Sequence, residues 1–501
     1  MQQERRSGST ASRGEKMGSP CQQDDTSMEG YSGPELPEDI LCHIHSLMPM
    51  RDAARTACVS RAFERSWRSR PNLTFSWETL GIGAHGMDEM AIAYSSIVDC
   101  ILKKHSGIGV KTLDLRVVSD YNDKESRQLD HLDSWLQIAV TPGIQELSLY
   151  AYSKNAKYNF PCSLLSDGTG DSLQHLFLSF CDFHPTVGHG CLRNLTRLHL
   201  SMVRTTDAEM GCLLSNTFAL ENLELNLCSE IIWLKIPCLQ RLSYLSLSSC
   251  IRLQVIEGKT PNLSNFRFIG HHQVQLSLGE TLRLNKLHWS CPNSTFYART
   301  ELPSIMPNLE TLSITSTSSE IVDTPMMPSK LLHLKSLTIS LGHQVTPDYF
   351  SLVSFLHASP LLETFILVAQ QGHTRPVSFF MDPWDLRRMP EQFHDKLKRV
   401  SITTFTSAKS LVELSCHILE FATSLKRFRL DTTRGRLGRC SDNISGKCFS
   451  MHKDALREAQ RALLVAETFI KPKVPSTVEF KVLEPCSRCH AVELWKPNYH
   501  C

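Results

Sequence analysis

Leu195–Leu200 (LTRLHL), Leu220–Leu225 (LENLEL) and Leu242–Leu247 (LSYLSL) decide the fold. Each has an apolar residue, two variable positions, an apolar residue, one variable position and a third apolar residue. In an extended strand the last two apolar side chains share one face. The same frame starts at Val110, Ile144, Leu173, Leu195, Leu220, Leu242, Leu263, Leu284, Leu309, Leu334, Leu362, Leu397 and Leu425, thirteen times in all. One frame arises easily by chance in a Leu-rich chain, but thirteen at spacings between 21 and 35 residues do not. The spacing predicts an α/β solenoid over 110–435 with one parallel strand per coil.

The frame is the signature of leucine-rich repeats. Cys181, Cys228 and Cys250 each stand three residues after a last apolar position, where the repeat consensus places an inward Asn or Cys. They are expected to fill the turn of their coils rather than to do redox chemistry. Beyond Leu430, apolar residues Ala455, Leu456, Ala459, Leu463, Ala466 and Ile470 mark a helix from about His452 to Ile470, which Pro472 stops. Thr477 to Leu483 alternates as a strand. A solenoid leaves its last coil bare, so residues 436–501 are expected to form a helix–strand cap and tail.

The whole chain has 501 residues, 53 Lys+Arg against 51 Asp+Glu, and 18 cysteines. A net charge of +2 argues against a general nucleic-acid binder. No apolar run is long enough to span a bilayer, and the first thirty residues lack the apolar core of a secretory signal. The expectation is a soluble intracellular protein with reduced thiols, placed in the nucleus or cytoplasm. The sequons starting at Asn72, Asn194, Asn262, Asn293 and Asn443 are then chance matches. Residues 1–33, rich in Ser, Gly, Gln and charge, read as a disordered tail.

Glu35 to Phe75 reads as three short helices. Pro37 suits the first turn of the first helix, and Glu38 and Asp39 complement its positive end. Ile40, Leu41, Ile44, Leu47 and Met48 form one stripe, ended by Pro49. The second helix is expected from about Asp52 to Cys58 and the third from about Ser60 to Ser69, with Val59, Phe63 and Trp67 spaced by four. About forty residues make a small core, so this trio is expected to complete itself against a partner. Residues 76–109 are taken as a linker leading into the solenoid.

Chemistry-bearing motifs are few. The sequence lacks G-x-x-x-x-G-K-[ST], G-x-S-x-G and H-E-x-x-H. Cys486, Cys489 and His490 match the haem-attachment pattern but without an exported context. Zinc on Cys440, Cys448, Cys486 and Cys489 with His452 or His490 is chemically sensible, yet Cys440 and Cys448 are spaced too loosely for a standard finger. Free thiols, no metal and no cofactor are expected. His271 and His272 read as an exposed pair. Arg51, Arg55, Arg61, Arg65, Arg68 and Arg70 form one basic cluster, and Lys426, Arg427, Arg429, Arg434, Arg436 and Arg439 a second. Either could be a solvated face; the first could also meet an acidic partner.

Residues 34–75 resemble the F-box in its plant form, on Leu36, Pro37, Asp39, Ile40, Leu41, Ile44, Ser46, Pro49, Arg51, Asp52, Ala53, Arg55, Thr56, Ser60, Arg61 and Trp67. Met48 and Phe63 replace the usual Leu and Trp, and the customary Trp-Arg pair is missing at Phe63-Glu64. The remainder is similar to the irregular repeats of plant, particularly grass, F-box/leucine-rich-repeat proteins. The resemblance implies a non-catalytic substrate receptor of an SCF-type ubiquitin ligase. Its F-box would dock on a Skp-family adaptor and through it a cullin, while the repeats hold an unidentified protein target. Adaptor contact would fall on Leu36, Pro37, Ile40, Leu41, Ile44, Leu47, Pro49, Val59 and Phe63. The alternative is a repeat scaffold or ligand receptor that acts without ubiquitin transfer. Neither reading calls for nucleic acid or a membrane.

Overall fold

The computed structural model describes residues 36–83, 87–106, 109–119, 127–154, 157–166, 168–185, 192–279, 281–316, 330–341, 347–369, 378–381, 386–433 and 451–486. Its main sheet has fifteen strands in chain order, every neighbouring pair parallel. All thirteen frames fall on strands of this sheet. Register holds the frame residues level from coil to coil: Leu198 pairs with Leu223, Leu223 with Leu245, Leu245 with Phe266 and Phe266 with Leu287. Inward frame side chains therefore stack into a continuous buried row. Each coil is stable only because its neighbours cover it.

Coil length decides what lies behind the sheet. Three of the four shortest steps, from Leu220 through Leu242 and Leu263 to Leu284, return along short strands, Trp233–Ile236, Val255–Gly258 and Gln275–Ser277, which pair in parallel. Longer steps carry helices, among them Asp207–Ser215, Val353–Ala358 and Lys409–Phe421. A helix advances about 1.5 Å per residue and a strand about 3.3 Å, so a helical return needs more residues for the same span.

A recurrent turn closes the strands. Phe180, Met202, Leu227 and Ser249 each follow the last strand residue and adopt φ of 60°, 55°, 53° and 55°. Left-handed backbone costs a side-chain-bearing residue about 1–2 kcal/mol. The offset is a ladder of amides: these four N–H groups donate to the carbonyls of Ser201, Asn226, Ser248 and Ile269, each at the strand end of the next coil, at 2.6–3.0 Å. Cys181, Cys228 and Cys250 are buried beside these turns, as their slot predicts. The Cys228 thiol lies 3.6 Å from the Leu200 carbonyl and that of Cys250 3.8 Å from the Leu225 carbonyl. None of the twelve described cysteines forms a disulfide.

The sheet begins earlier than the frame predicts. Asn72–Phe75 is already a strand, pairing with Thr112–Leu115. Its frame runs Arg70, Leu73, Phe75, so an arginine takes the first apolar slot and hides the coil from a search for leucines. The described residues between Ser76 and Gly109 include two helices, Trp77–Leu80 and Met87–Lys104, the second of which buries Tyr94, Val98 and Leu102 behind that first coil. At the other end, the helix Lys453–Val465 continues through a π-turn, Ala466–Ile470. The strand Glu479–Leu483 then joins the sheet beside Arg427–Asp431. The expected tail at 1–33 lies outside the described residues.

Candidate functional site

Three helices precede the first coil: α1 (Glu38–Leu47), α2 (Met50–Ala57) and α3 (Arg61–Arg68). The second starts two residues before the sequence expectation because Pro49, at φ −52°, caps it directly and lets the helix begin at Met50. Pro37 likewise stands just outside α1 as its cap, and Ser60 caps α3 by accepting from the Ala62 amide.

His45, which the sequence does not single out, holds the trio together. It is buried, and its Nε2–H donates to the Ala53 carbonyl at 2.8 Å. A carbonyl only accepts, so Nε2 carries that proton, while Nδ1 shares a hydrogen bond with the Ser66 hydroxyl at 3.1 Å. The imidazole thus joins α1 to both other helices, and its ring packs against Phe63 and Trp67 at 5.4 and 6.0 Å.

Arg70 joins the trio to the solenoid. It is 6% exposed, which removes it from the basic surface cluster to which its charge assigns it. Nη1 donates to the His45 carbonyl at 2.7 Å, and Nη2 to the carbonyls of Met48 at 2.7 Å and Ser46 at 3.4 Å. Nε reaches the carbonyl of Asn72 in the first strand at 3.1 Å. The carbonyls of His45, Ser46 and Met48 lie at the end of α1, where positive charge is favoured, and that of His45 also accepts from the Met48 amide at 3.3 Å. Burial lowers the Arg70 pKa, yet a guanidinium stays charged at any physiological pH. His105, at the end of the first coil, donates from Nε2 to the Arg70 carbonyl at 2.9 Å. Met50, Ala53 and Trp67 complete the junction by joining the solenoid core. A cavity of about 290 Å³ remains there, lined by Ala54, Cys58, Leu80, Ile97 and Ile101 among others.

With the inner face so used, the outer face stays apolar and open. Leu36, Ile40, Ile44, Leu47 and Val59 are 48, 42, 37, 72 and 87% exposed. Pro37 and Pro49 are exposed as well, whereas Leu41 and Phe63 are half-buried. Ile40, Ile44 and Leu47 follow helical spacing on α1, so they form one stripe. Phe63 faces His45 and contributes to the trio's own packing. Arg55 pairs with Asp52 at 3.5 Å and Arg68 with Glu64 at 2.6 Å, which leaves part of the basic cluster locally neutralised.

The second surface is the concave face, built from the outward residues of each strand. Near its N-terminal third, half-buried aromatics gather: Phe177 and His199 at 4.5 Å, and Phe180 against Tyr150 and Tyr152 at 4.9 and 5.0 Å. Cross-coil pairs flank them, His175 with Glu146 at 2.9 Å and His199 with Glu224 at 3.2 Å. At the C-terminal end Arg427 pairs with Glu479 at 2.8 Å and Arg429 approaches Asp431 at 3.6 Å. Arg434, Arg436 and Arg439 of the second basic cluster lie outside the described residues. So do Cys440, Cys448, Cys489 and His490, while Cys486 is half-buried. His272 is half-buried beside the exposed His271 and bonds to the Leu253 carbonyl at 2.7 Å. No helix among the described residues is long and apolar enough to cross a membrane.

Known proteins carry the same two parts. Residues 34–75 match the F-box domain family, and residues 101–487 match the family described as "At1g61320/AtMIF1, LRR domain". The F-box/LRR-repeat protein At4g14096 of Arabidopsis thaliana is 24% identical over 354 residues, 66% of this chain and 71% of that protein. The F-box/LRR-repeat protein At3g26922 is 28% identical over 214 residues, 42% of this chain and 65% of that one. The F-box/FBD/LRR-repeat protein At3g52680 is 26% identical over 218 residues, 42% and 44% of the two chains. Against At5g02930 and At3g18150 of the same plant the match spans 41% and 46% of the relative's length, so the likeness covers about half of such proteins. An F-box whose helices end in the first strand of a leucine-rich solenoid, matched by both family profiles, places the chain among the plant F-box/leucine-rich-repeat proteins.

Proposed function

We propose that the protein is the substrate-recognition subunit of an SCF-type ubiquitin ligase. The stripe of Leu36, Ile40, Ile44 and Leu47, with Pro37, Pro49 and Val59 beside it, docks on a Skp-family adaptor and through it a cullin. Leu41 and Phe63 support that surface from its half-buried edge. The observation that carries this reading is the two-sidedness of the trio: one face is spent on the solenoid through Arg70, Met50, Ala53 and Trp67, and the other is apolar and left uncovered by the described residues. Apolar surface kept in water on so small a module marks a protein interface.

The chain supplies no catalytic residue in this scheme. A protein target rests on the concave face, with the aromatic group of Tyr150, Phe177 and Phe180 as an anchor of the kind that dominates binding energy. Ubiquitin transfer is accelerated by proximity, because the target's lysines are held near a thioester carried by another subunit. Such a ligase works in the nucleus or cytoplasm.

The test is co-purification of the full chain with adaptor and cullin, for wild type and for Ile40→Asp with Leu47→Asp. Each carboxylate would be buried unpaired at the interface, so the double variant loses adaptor binding at least a hundredfold while its melting temperature is unchanged. Undiminished binding sinks the assigned surface. A wild type that never recovers adaptor or cullin favours the scaffold reading.

A further inference from the structure

Behind the sheet, three histidines from successive coils converge. His357 ends the helix Val353–Ala358, His394 lies in the segment before Arg399–Thr403, and His417 belongs to the helix Lys409–Phe421. They are 4, 7 and 5% exposed. Their ring centroids form a near-equilateral triangle of 5.5, 5.5 and 5.8 Å, and one ligand nitrogen from each lies within 4.8 Å of the others. Among the described residues, both ring nitrogens of His357, Nε2 of His394 and Nε2 of His417 are buried without a hydrogen-bond partner. Buried polar atoms are otherwise satisfied as a rule, so three rings that each bring one nitrogen to a common point while their nitrogens lack partners call for an occupant.

We propose that His357, His394 and His417 bind a zinc ion that ties three consecutive coils together. Imidazole suits zinc and its transition-metal neighbours, whereas magnesium and calcium require oxygen ligands. Zn–N distances of 2.0–2.1 Å in a tetrahedron set nitrogens about 3.3–3.4 Å apart, so the rings close by little more than about 1 Å. A water completes the fourth position. A neutral imidazole keeps one unprotonated nitrogen, which is the atom that a metal takes.

The frame around the trio is rigid. The His394 amide donates to the Phe421 carbonyl at 2.9 Å, and Gln392 Nε2 donates to the His357 carbonyl at 2.9 Å, so the middle ligand is fixed to both neighbouring coils. Phe350 packs against His417 at 6.2 Å, and on its other side Arg387 stacks at 5.1 Å. That arginine is held by Asp348 at 2.7 Å and by the buried Glu413 at 2.6 Å, one helical turn before His417. The two carboxylates neutralise the cation on that flank. Nothing in the sequence spacing discloses the set; the stacking of coils assembles it.

The experiment measures metal content of the purified full chain after incubation with zinc and gel filtration, and melting of apo and zinc-loaded protein. We expect about one zinc per chain, a rise in melting temperature on loading, and at least a tenfold weaker apparent affinity in His394→Gln and His417→Gln. Cys486→Ala with Cys489→Ala should keep the metal. Because a histidine variant could fail to fold, cobalt(II) titration of the apo wild type supplies a second readout: tetrahedral visible bands without the intense near-ultraviolet absorption of thiolate ligation. No bound zinc, a thiolate band, or zinc lost only from the cysteine variant overturns the proposal.

Discussion

Replacing Arg70 by Leu restores the apolar repeat frame and removes the clamp on the helix trio. By sequence logic the change should be mild, since all thirteen frames have an apolar residue in that slot. The hydrogen bonds say otherwise. Two donations at 2.7 Å, to His45 and Met48, come from a charged group to carbonyls at a helix end, of which that of His45 also accepts from the Met48 amide at 3.3 Å. Hydrogen bonds to charged groups contribute about 1.5–3 kcal/mol each, and an acceptor left buried costs about 1–3. The weaker contact to Ser46 at 3.4 Å and the desolvation of the guanidinium roughly offset each other, leaving a net loss of about 3 kcal/mol. The loss falls on the junction rather than on the whole solenoid, because repeat coils open locally. Hydrogen exchange by mass spectrometry reads it directly: about 3 kcal/mol raises the opening constant of residues 38–68 by about two powers of ten. Coils beyond Leu195 should exchange as before. Arg70→Lys should lie between, since an ammonium cannot fork across three carbonyls. If α1 exchanges at the wild-type rate in Arg70→Leu, the clamp is not what holds the trio.

Two further expectations concern the interior and the end of the solenoid. Under native conditions a thiol reagent should label exposed Cys58, Cys100 and Cys238 within minutes and spare Cys181, Cys228, Cys250 and Cys291, as read by peptide mass spectrometry; fast labelling of the turn cysteines would contradict their packing role. Deleting everything after Asp431 uncovers Phe428, which packs against Phe480 at 6.0 Å, together with the seat of Ile470 and Val465. The truncated chain should aggregate or melt over a broadened range. Unchanged solubility and melting would mean that the last strand and its helix are dispensable.

The thirteen frames were legible because their inward positions obey one constraint in every coil: each must stack on the frame residues above and below. That is why Leu223, Leu245 and Phe266 stand level in register. The first coil escaped because Arg70 satisfies a different demand, the carbonyls of α1, from the same slot. Its back also escaped, although Tyr94, Val98 and Leu102 recur every four residues, since no leucine frame announced it. The exposed stripe of α1 was visible as an apolar face, and its partial exposure in the fold follows from that face having no second layer among the described residues. His45 could have been noticed as the one ring among the polar pair His45-Ser46 between Ile44 and Leu47. The histidines at 357, 394 and 417 could not, because they occupy three different places in their coils and only the stacking sets them side by side.

A proximity mechanism places its own demand on the junction. Holding a target raises its effective concentration at a distant thioester only when the connection between the two surfaces is stiff and correctly aimed. The solenoid is stiff, because each coil is hydrogen-bonded to the next through the parallel sheet and the turn ladder beside it. A flexible linker after the F-box would waste that stiffness, and there is none: α3 runs into Arg70, and Asn72 already pairs with Thr112. The guanidinium grips α1 and the first strand at once, so the docking stripe keeps a fixed direction relative to the concave face. In a reconstituted ligase, Arg70→Leu should therefore bind adaptor and target normally yet transfer ubiquitin more slowly, spreading modification over more lysines. Loss of adaptor binding in the same variant would show instead that Arg70 acts by shaping the docking stripe itself.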